Sequence, residues 1–191
     1  MFNNLFGAFT GTGAPFAYAI VVVFAYGLTI WIERWRTFGQ WTIDEQTFAE
    51  WNPSKPLTEN HPAEAFVSVA NQHQKPTWDD MAVVAPLVEE QVTQRISALS
   101  MVANISTMLG LLGTVYGLIY ALEGLDDASN IERTARLSAG IGAAMLTTAW
   151  GLLAGLPMMF AHNVLQRRAD GILAQCQSIA AQIIQTSNRQ S

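Results

Sequence analysis

The stretch ISALSMVANISTMLGLLGTVYGLIYAL, residues 96–122, contains no charged residue and decides the fold of this 191-residue chain. Two further stretches are similar: residues 1–32 carry no charge, and residues 137–166 carry only the titratable His162. Each is longer than the roughly 20 residues that a helix needs to cross the hydrocarbon core of a bilayer. The sequence therefore predicts an all-α membrane protein with three transmembrane helices.

The composition excludes several classes of protein. Apolar residues make up 50% of the chain and charged residues only 13%, about half the charged fraction of soluble domains. The ten Lys and Arg residues are scattered, so no basic face for nucleic acid is expected. A single cysteine, Cys176, excludes an internal disulfide and any CxxC motif. His61 and His73 lack metal-ligand spacing, and we predict no catalytic residue, no metal site, no cofactor and no enzymatic activity.

The spans divide the chain into seven predicted segments. In order these are a periplasmic N-terminal segment (1–14), transmembrane helix 1 (15–32), a cytoplasmic helical region (33–99), transmembrane helix 2 (100–122), a short periplasmic loop (123–136), transmembrane helix 3 (137–162) and a cytoplasmic C-terminal helix (163–191). Arginine pairs at 34 and 36 and at 167 and 168 follow spans one and three. Positive charge favours the cytoplasmic side, which places the N-terminus outside and the C-terminus inside.

Two helical patterns extend the spans into the soluble parts. Thr77 and the acidic residues after it predict a capped helix whose apolar positions run without interruption into span two, at Val84, Val88, Val92, Ile96 and Leu99. After span three, a heptad-like seam follows at Leu165, Ala169, Ile172, Cys176, Ile179 and Ile183. We interpret this seam as the buried face of a helix packed on its neighbours, with self-association as the alternative.

Small residues recur at helical spacing in spans two and three. Such residues let helix backbones approach closely in lipid, and they predict packing faces of a bundle or an oligomer. The predicted packing residues are Gly110, Gly113, Gly117, Gly151, Gly155 and Pro157.

Threonines are concentrated in the same two spans. Thr107 and Thr114 lie in span two, and Thr147 and Thr148 lie in span three, whereas span one has Thr29 alone. A membrane threonine usually bonds to a carbonyl one turn earlier in its own helix. Their concentration nevertheless predicts that these four residues line a polar pathway.

No carboxylate, lysine or arginine lies in the middle of a span, although ion routes through membranes normally need an ionisable group. Either the protein moves no ion, or another chain supplies that group. We interpret His162, near the end of span three, as an interfacial side chain rather than a proton relay.

The motifs together resemble the MotA/TolQ/ExbB proton-channel family, most closely its ExbB and TolQ branch. Ile32-Glu33-Arg34 resembles the signature that closes the first span. GLLGTVYG, residues 110–117, resembles the second-span motif, and GIGAAMLTTAWGLLAGLP, residues 140–157, resembles the third-span pattern. Where many members have a glutamate in span three, this chain has Ala143.

The resemblance implies a fold and partners. It implies a homo-oligomeric, pentameric ring in the bacterial inner membrane around a single-span partner of the ExbD or TolR type. The membrane aspartate of that partner carries the proton, and a TonB- or TolA-like transducer passes on the energy. By resemblance, Thr114 and Thr148 match the channel-lining threonines, and Pro157 matches the proline near the inner end of span three.

The expected function is therefore that of a stator subunit that uses the proton motive force to energise outer-membrane transport or envelope work. Two alternatives remain at this point. The first is a membrane scaffold that conducts no ion, and the second is a flagellar stator of the MotA type, whose four-span plan fits three spans less well.

Overall fold

The computed structural model describes residues 9, 13–41, 61–72, 76–123 and 130–189. Five helices occur in these ranges: α1 (Ala14–Trp41), α2 (Glu64–Gln72), α3 (Trp78–Thr93), α4 (Ile96–Glu123) and α5 (Asn130–Arg189). The described ranges hold no β-strand. Three helices, α1, α4 and α5, are long and apolar enough to cross a membrane, which confirms the predicted all-α class and number of candidate spans.

The chain forms two compact units. The first unit comprises Met1–Trp31 and Ser97–His162, and the second comprises Ile32–Ile96 and Asn163–Ser191. Helices α1 and α5 each contribute residues to both units. Helix α5 is 60 residues long: it begins at Asn130, inside the range predicted as a loop, and runs without interruption through the predicted boundary at residue 163 to Arg189.

Large apolar side chains lie exposed on the outer surface of the first unit. They include Val22, Leu111, Met145 and Phe160. Exposure of these side chains to water would be unfavourable, because burying one apolar side chain stabilises a protein by about 1.5–3 kcal/mol relative to leaving it exposed. The exposure is what a set of lipid-facing or partner-facing helices requires.

The heptad-like seam of α5 is buried within the second unit. Its six members, Leu165, Ala169, Ile172, Cys176, Ile179 and Ile183, are all at most 4% exposed. A seam already covered by the same chain has no surface left for a second copy. The interpretation as a packing face on neighbouring elements is therefore confirmed, and self-association through it is not supported.

Helix α3 begins at the predicted cap. Thr77 accepts a hydrogen bond from the Asp80 N–H, and the Asp80 carboxylate accepts one from the Thr77 N–H at 2.9 Å. This reciprocal pair is a capping box, which satisfies two N–H groups that a helix start otherwise leaves unpaired.

The prediction that α3 continues unbroken into span two is wrong. The chain leaves helical geometry at Gln94 and Arg95, and Arg95 has a φ of 64°. Arginine reaches this left-handed region at a cost of about 1–2 kcal/mol. The apolar spacing through Val92, Ile96 and Leu99 is nevertheless kept, and all three side chains are buried, so the pattern gives no sign of the break.

His61 joins the end of α1 to the start of α2. Its Nε2 donates to the Trp41 carbonyl at 3.0 Å, and its Nδ1 accepts from the Ala63 N–H at 3.1 Å. The ring is 1% exposed. Burial lowers the pKa of His61 below its usual value, while the bond to Trp41 and the charge of Glu64 act in the opposite direction.

Candidate functional site

Helices α4 and α5 are in backbone contact at Gly110 and Gly151. A Cβ atom added to Gly110 would lie 3.0 Å from the Thr147 carbonyl oxygen and 3.0 Å from the Gly151 Cα. One added to Gly151 would lie 2.7 Å from the Ser106 carbonyl oxygen. Only a residue without a side chain fits at these two positions, because backbone atoms cannot move aside as a flexible side chain can.

The same contact continues along both helices in opposite directions. A Cβ at Gly117 would lie 2.9 Å from the Ala144 Cβ, whereas one at Gly155 would lie 2.8 Å from the Thr107 hydroxyl. The small-residue stripes of the two spans therefore meet each other inside one chain, as an antiparallel pair. The sequence left open whether these stripes join helices of one chain or of several.

Gly113 belongs to this contact as well. Its added Cβ would lie 2.7 Å from the Thr147 hydroxyl oxygen and 3.3 Å from the Cβ of Phe16 on α1. The Phe16 ring also packs on Tyr116 of α4, with centroids 5.5 Å apart. Helix α1 thus lies against the α4–α5 pair in the first unit. Pro157, the last of the predicted packing residues, is exposed within α5.

Two threonine hydroxyls of α5 converge on the Gly110 carbonyl of α4. The Thr148 hydroxyl donates to it at 3.1 Å, and the Thr147 hydroxyl lies 3.3 Å from it. Thr147 also donates to the Ala144 carbonyl at 2.7 Å. Because Gly110 lacks a side chain, its carbonyl is open to a neighbouring helix, and this acceptor was not visible in the sequence.

The four predicted lining threonines do not share one environment. Thr147 is fully buried between the helices, with no surface outside the chain, whereas Thr148 is half-buried. Thr114 is half-buried and donates to Leu111 O at 2.6 Å, and the exposed Thr107 donates to Ala103 O at 3.0 Å. Only Thr107, Thr114 and Thr148 therefore have surface from which to face a lumen or a partner.

Ser106 adds an unsatisfied polar group to the same contact. Its side chain is fully buried, and its hydroxyl has no hydrogen-bond partner in the described part of the chain. The described ranges also contain no cluster of His, Cys, Asp and Glu that could hold a metal ion.

The sequence is similar to a known family of membrane proteins and to several of its members. The model of the MotA/TolQ/ExbB proton channel family matches residues 55–178. The Tol-Pal system protein TolQ of Haemophilus influenzae is 37% identical over 84 residues, which is 44% of this chain and 36% of the relative. The biopolymer transport protein exbB1 of Vibrio cholerae is 36% identical over 85 residues, 44% of this chain and 37% of the relative. The matched region thus spans well under half the length of these two relatives.

Proposed function

The chain belongs to the MotA/TolQ/ExbB proton channel family, and on that premise we propose that it is the channel subunit of an inner-membrane motor of the ExbB/TolQ type. It assembles as a ring, pentameric by resemblance, around a single-span partner of the ExbD or TolR kind. Proton flow through this complex energises transport or envelope work at the outer membrane, through a transducer of the TonB or TolA kind.

One observation supports the proposal: the apolar stretches of α4 and α5 present polar side chains at their surface but contain no Asp, Glu, Lys or Arg. Three partly accessible threonines, Thr107, Thr114 and Thr148, lie on α4 and α5, and the apolar stretch of α1 likewise has no Asp, Glu, Lys or Arg. A carboxylate in hydrocarbon is costly unless it is hydrogen-bonded or hydrated. Each of these threonine hydroxyls donates its proton to a backbone carbonyl, so its oxygen accepts from water that hydrates the aspartate of the partner, which supplies the titrating group.

The residue roles follow from exposure. Thr148 and Thr114 face the proton path, with Thr107 on the same helix as Thr114. Thr147 keeps the α4–α5 contact and influences the path only indirectly. Ala143 is half-buried and cannot titrate, so position 143 itself carries no proton in this subunit.

The test is proton uptake into vesicles that contain the purified complex with its single-span partner. Thr148→Val keeps the volume of the side chain and removes its hydroxyl. We expect it to lower proton flux up to about tenfold, because the lost hydrogen bond from water is worth about 0.5–1.5 kcal/mol and a factor of ten corresponds to about 1.4 kcal/mol. Thr114→Val should act in the same direction, and Thr147→Val should have a milder effect.

Thr29→Val is the matched control. Thr29 lies on α1, which has no part in the proposed path, and its hydroxyl bonds within its own helix as that of Thr114 does, to the Ala25 carbonyl at 3.0 Å. Its removal therefore shows whether loss of such a bond alone affects flux, and flux should be unchanged. Equal flux in the wild type and Thr148→Val, at matched assembly, would contradict the lining role.

A membrane scaffold that conducts no ion is the second candidate. It is favoured by the fact that all four threonine hydroxyls already bond to backbone carbonyls within the chain. Undetectable flux in the wild-type complex, with the partner present and a membrane potential applied, would support this alternative.

A further inference from the structure

The Ile32-Glu33-Arg34 motif has no part in the proposed proton path, yet its two charged residues reach the break between α3 and α4. The last carbonyls of α3 and the first N–H groups of α4 lie there, and a helix cannot satisfy these end groups through its own backbone hydrogen bonds. Glu33 and Arg34 lie some 60 residues earlier in the chain, on α1. All of the contacts described below lie within the second unit.

Arg34 binds the carbonyl end of α3. Its Nε donates to the Gln94 carbonyl at 2.7 Å, and its Nη2 donates to the Gln91 carbonyl at 3.2 Å and to Gln94 as well. The side chain is 5% exposed, and its guanidinium lies 5.7 Å from the centroid of the buried Phe38 ring. A planar cation that bridges two carbonyls at a helix C-terminus satisfies these acceptors and the negative end of the helix dipole together.

Glu33 binds the residue that carries the strained backbone. Both of its carboxylate oxygens accept from Nη1 of Arg95, at 3.0 and 3.1 Å. Arg95 is the described residue other than glycine with a positive φ, 64°. Glycine usually occupies such a position after a helix end, because it has no Cβ to clash. Here the position is occupied by an arginine whose side chain forms an ion pair with Glu33.

We infer that Glu33 and Arg34 are positioning residues that clamp the α3–α4 break in one conformation, and that proton flow depends on this clamp. Helix α4 runs without interruption from Ile96 to Glu123. Arg95 directly precedes α4, the helix that also carries Thr107 and Thr114, so a change in its backbone angles alters the start of that helix. The dependence of flow on the clamp rests on the proposed function, whereas the clamp itself does not.

The test uses two measurements on the full chain in complex with its partner. Hydrogen–deuterium exchange of the amides at residues 94–96 reports opening of the break, and proton uptake into vesicles reports flow per assembled complex. Glu33→Gln removes the ion pair and should raise the exchange rate about fivefold and lower the flux. Glu89→Gln, an exposed carboxylate on α3, is the matched control and should change neither value.

A second substitution separates positioning from proton transfer by Glu33. Arg95→Gly lets the chain adopt the left-handed conformation without the ion pair, so it should resemble the wild type in both measurements. The double variant Glu33→Gln/Arg95→Gly should regain both slow exchange and flux. Arg34→Lys keeps the charge but cannot bridge two carbonyls as a planar fork, and it should raise exchange even though the charge is retained.

The outcomes are distinct. An exchange rate in Glu33→Gln equal to that of the wild type would overturn the clamp. In the double variant, a return to slow exchange without a return of proton flux would overturn the positioning role of Glu33. Absence of flux from the wild type would overturn the proposed function, while the expected exchange pattern in that sample would still support the clamp.

Discussion

At the residue scale, His61 gives the protein a pH dependence whose sign follows from its bonds. The neutral ring donates from Nε2 to Trp41 and accepts at Nδ1 from Ala63, so a second proton on Nδ1 removes the acceptor. Burial lowers the pKa of His61 in the folded state. Just below pH 6.5 the imidazole is therefore protonated in the unfolded chain but still neutral in the folded one. The free energy of unfolding therefore falls as the pH drops below about 6.5.

Thermal unfolding of the chain in detergent at pH 7.5, 6.5 and 5.5 measures this effect. One proton changes the free energy of unfolding by at most about 1.4 kcal/mol per pH unit. We expect His61→Gln to be less stable than the wild type at pH 7.5 and to show a flatter dependence on pH. A wild-type chain and a His61→Gln chain with the same slope would contradict the assignment, and His162→Gln serves as the control.

Residue-level reasoning from the sequence identified the polar residues but not their environments. It listed both Thr147 and Thr148 as lining residues, although adjacent positions on a helix are about 100° apart and Thr147 shares its face with Gly151 and Gly155. The structure adds that Thr147 is fully buried, whereas Thr148 is half-buried.

At the element scale, the α4–α5 contact depends on the absence of side chains. Gly117→Leu would place its Cβ 2.9 Å from the Ala144 Cβ, with the rest of the side chain beyond it. Overpacking of this kind typically costs about 1–3 kcal/mol. Because the contact lies inside one chain, we expect the variant to lower the unfolding temperature of the subunit as well as the yield of any oligomer.

Gly142→Leu is the matched control on α5. An added Cβ at Gly142 meets no atom within 4 Å, so the same substitution should leave the unfolding temperature nearly unchanged. Equal destabilisation by the two variants would mean that the helix contact at Gly117 is looser than the structure indicates.

At this scale the sequence patterns predicted some features of the helices correctly and missed one. The capping box at Thr77 and the buried seam of α5 could be predicted, because each depends on residues within a few turns of one another. The break at Gln94 and Arg95 could not be predicted, because neither residue is Gly or Pro and the apolar spacing continues across it.

At the scale of the whole molecule, the arginine pairs after spans one and three predict an N-terminus outside and a C-terminus inside. Reporter fusions after Gln72 and after Ser191 should both give cytoplasmic signals, and a reporter inserted between Glu123 and Asn130 should give a periplasmic one. A periplasmic signal at Gln72 or Ser191 would contradict this orientation of the three spans.

The sequence by itself determined the membrane class, the three spans and the family, because charge-free length and motif spacing are local properties of the chain. The tertiary structure alone decided which of the small and polar residues meet. The Gly110 carbonyl accepts a hydrogen bond from Thr148, which is 38 residues away in the sequence, and Arg34 donates to the carbonyl of Gln94, which is 60 residues away. A periodic pattern shows that a helix has a contact face, but it does not name the partner of that face. The partner is fixed only when the packed helices bring a donor within reach of an open acceptor.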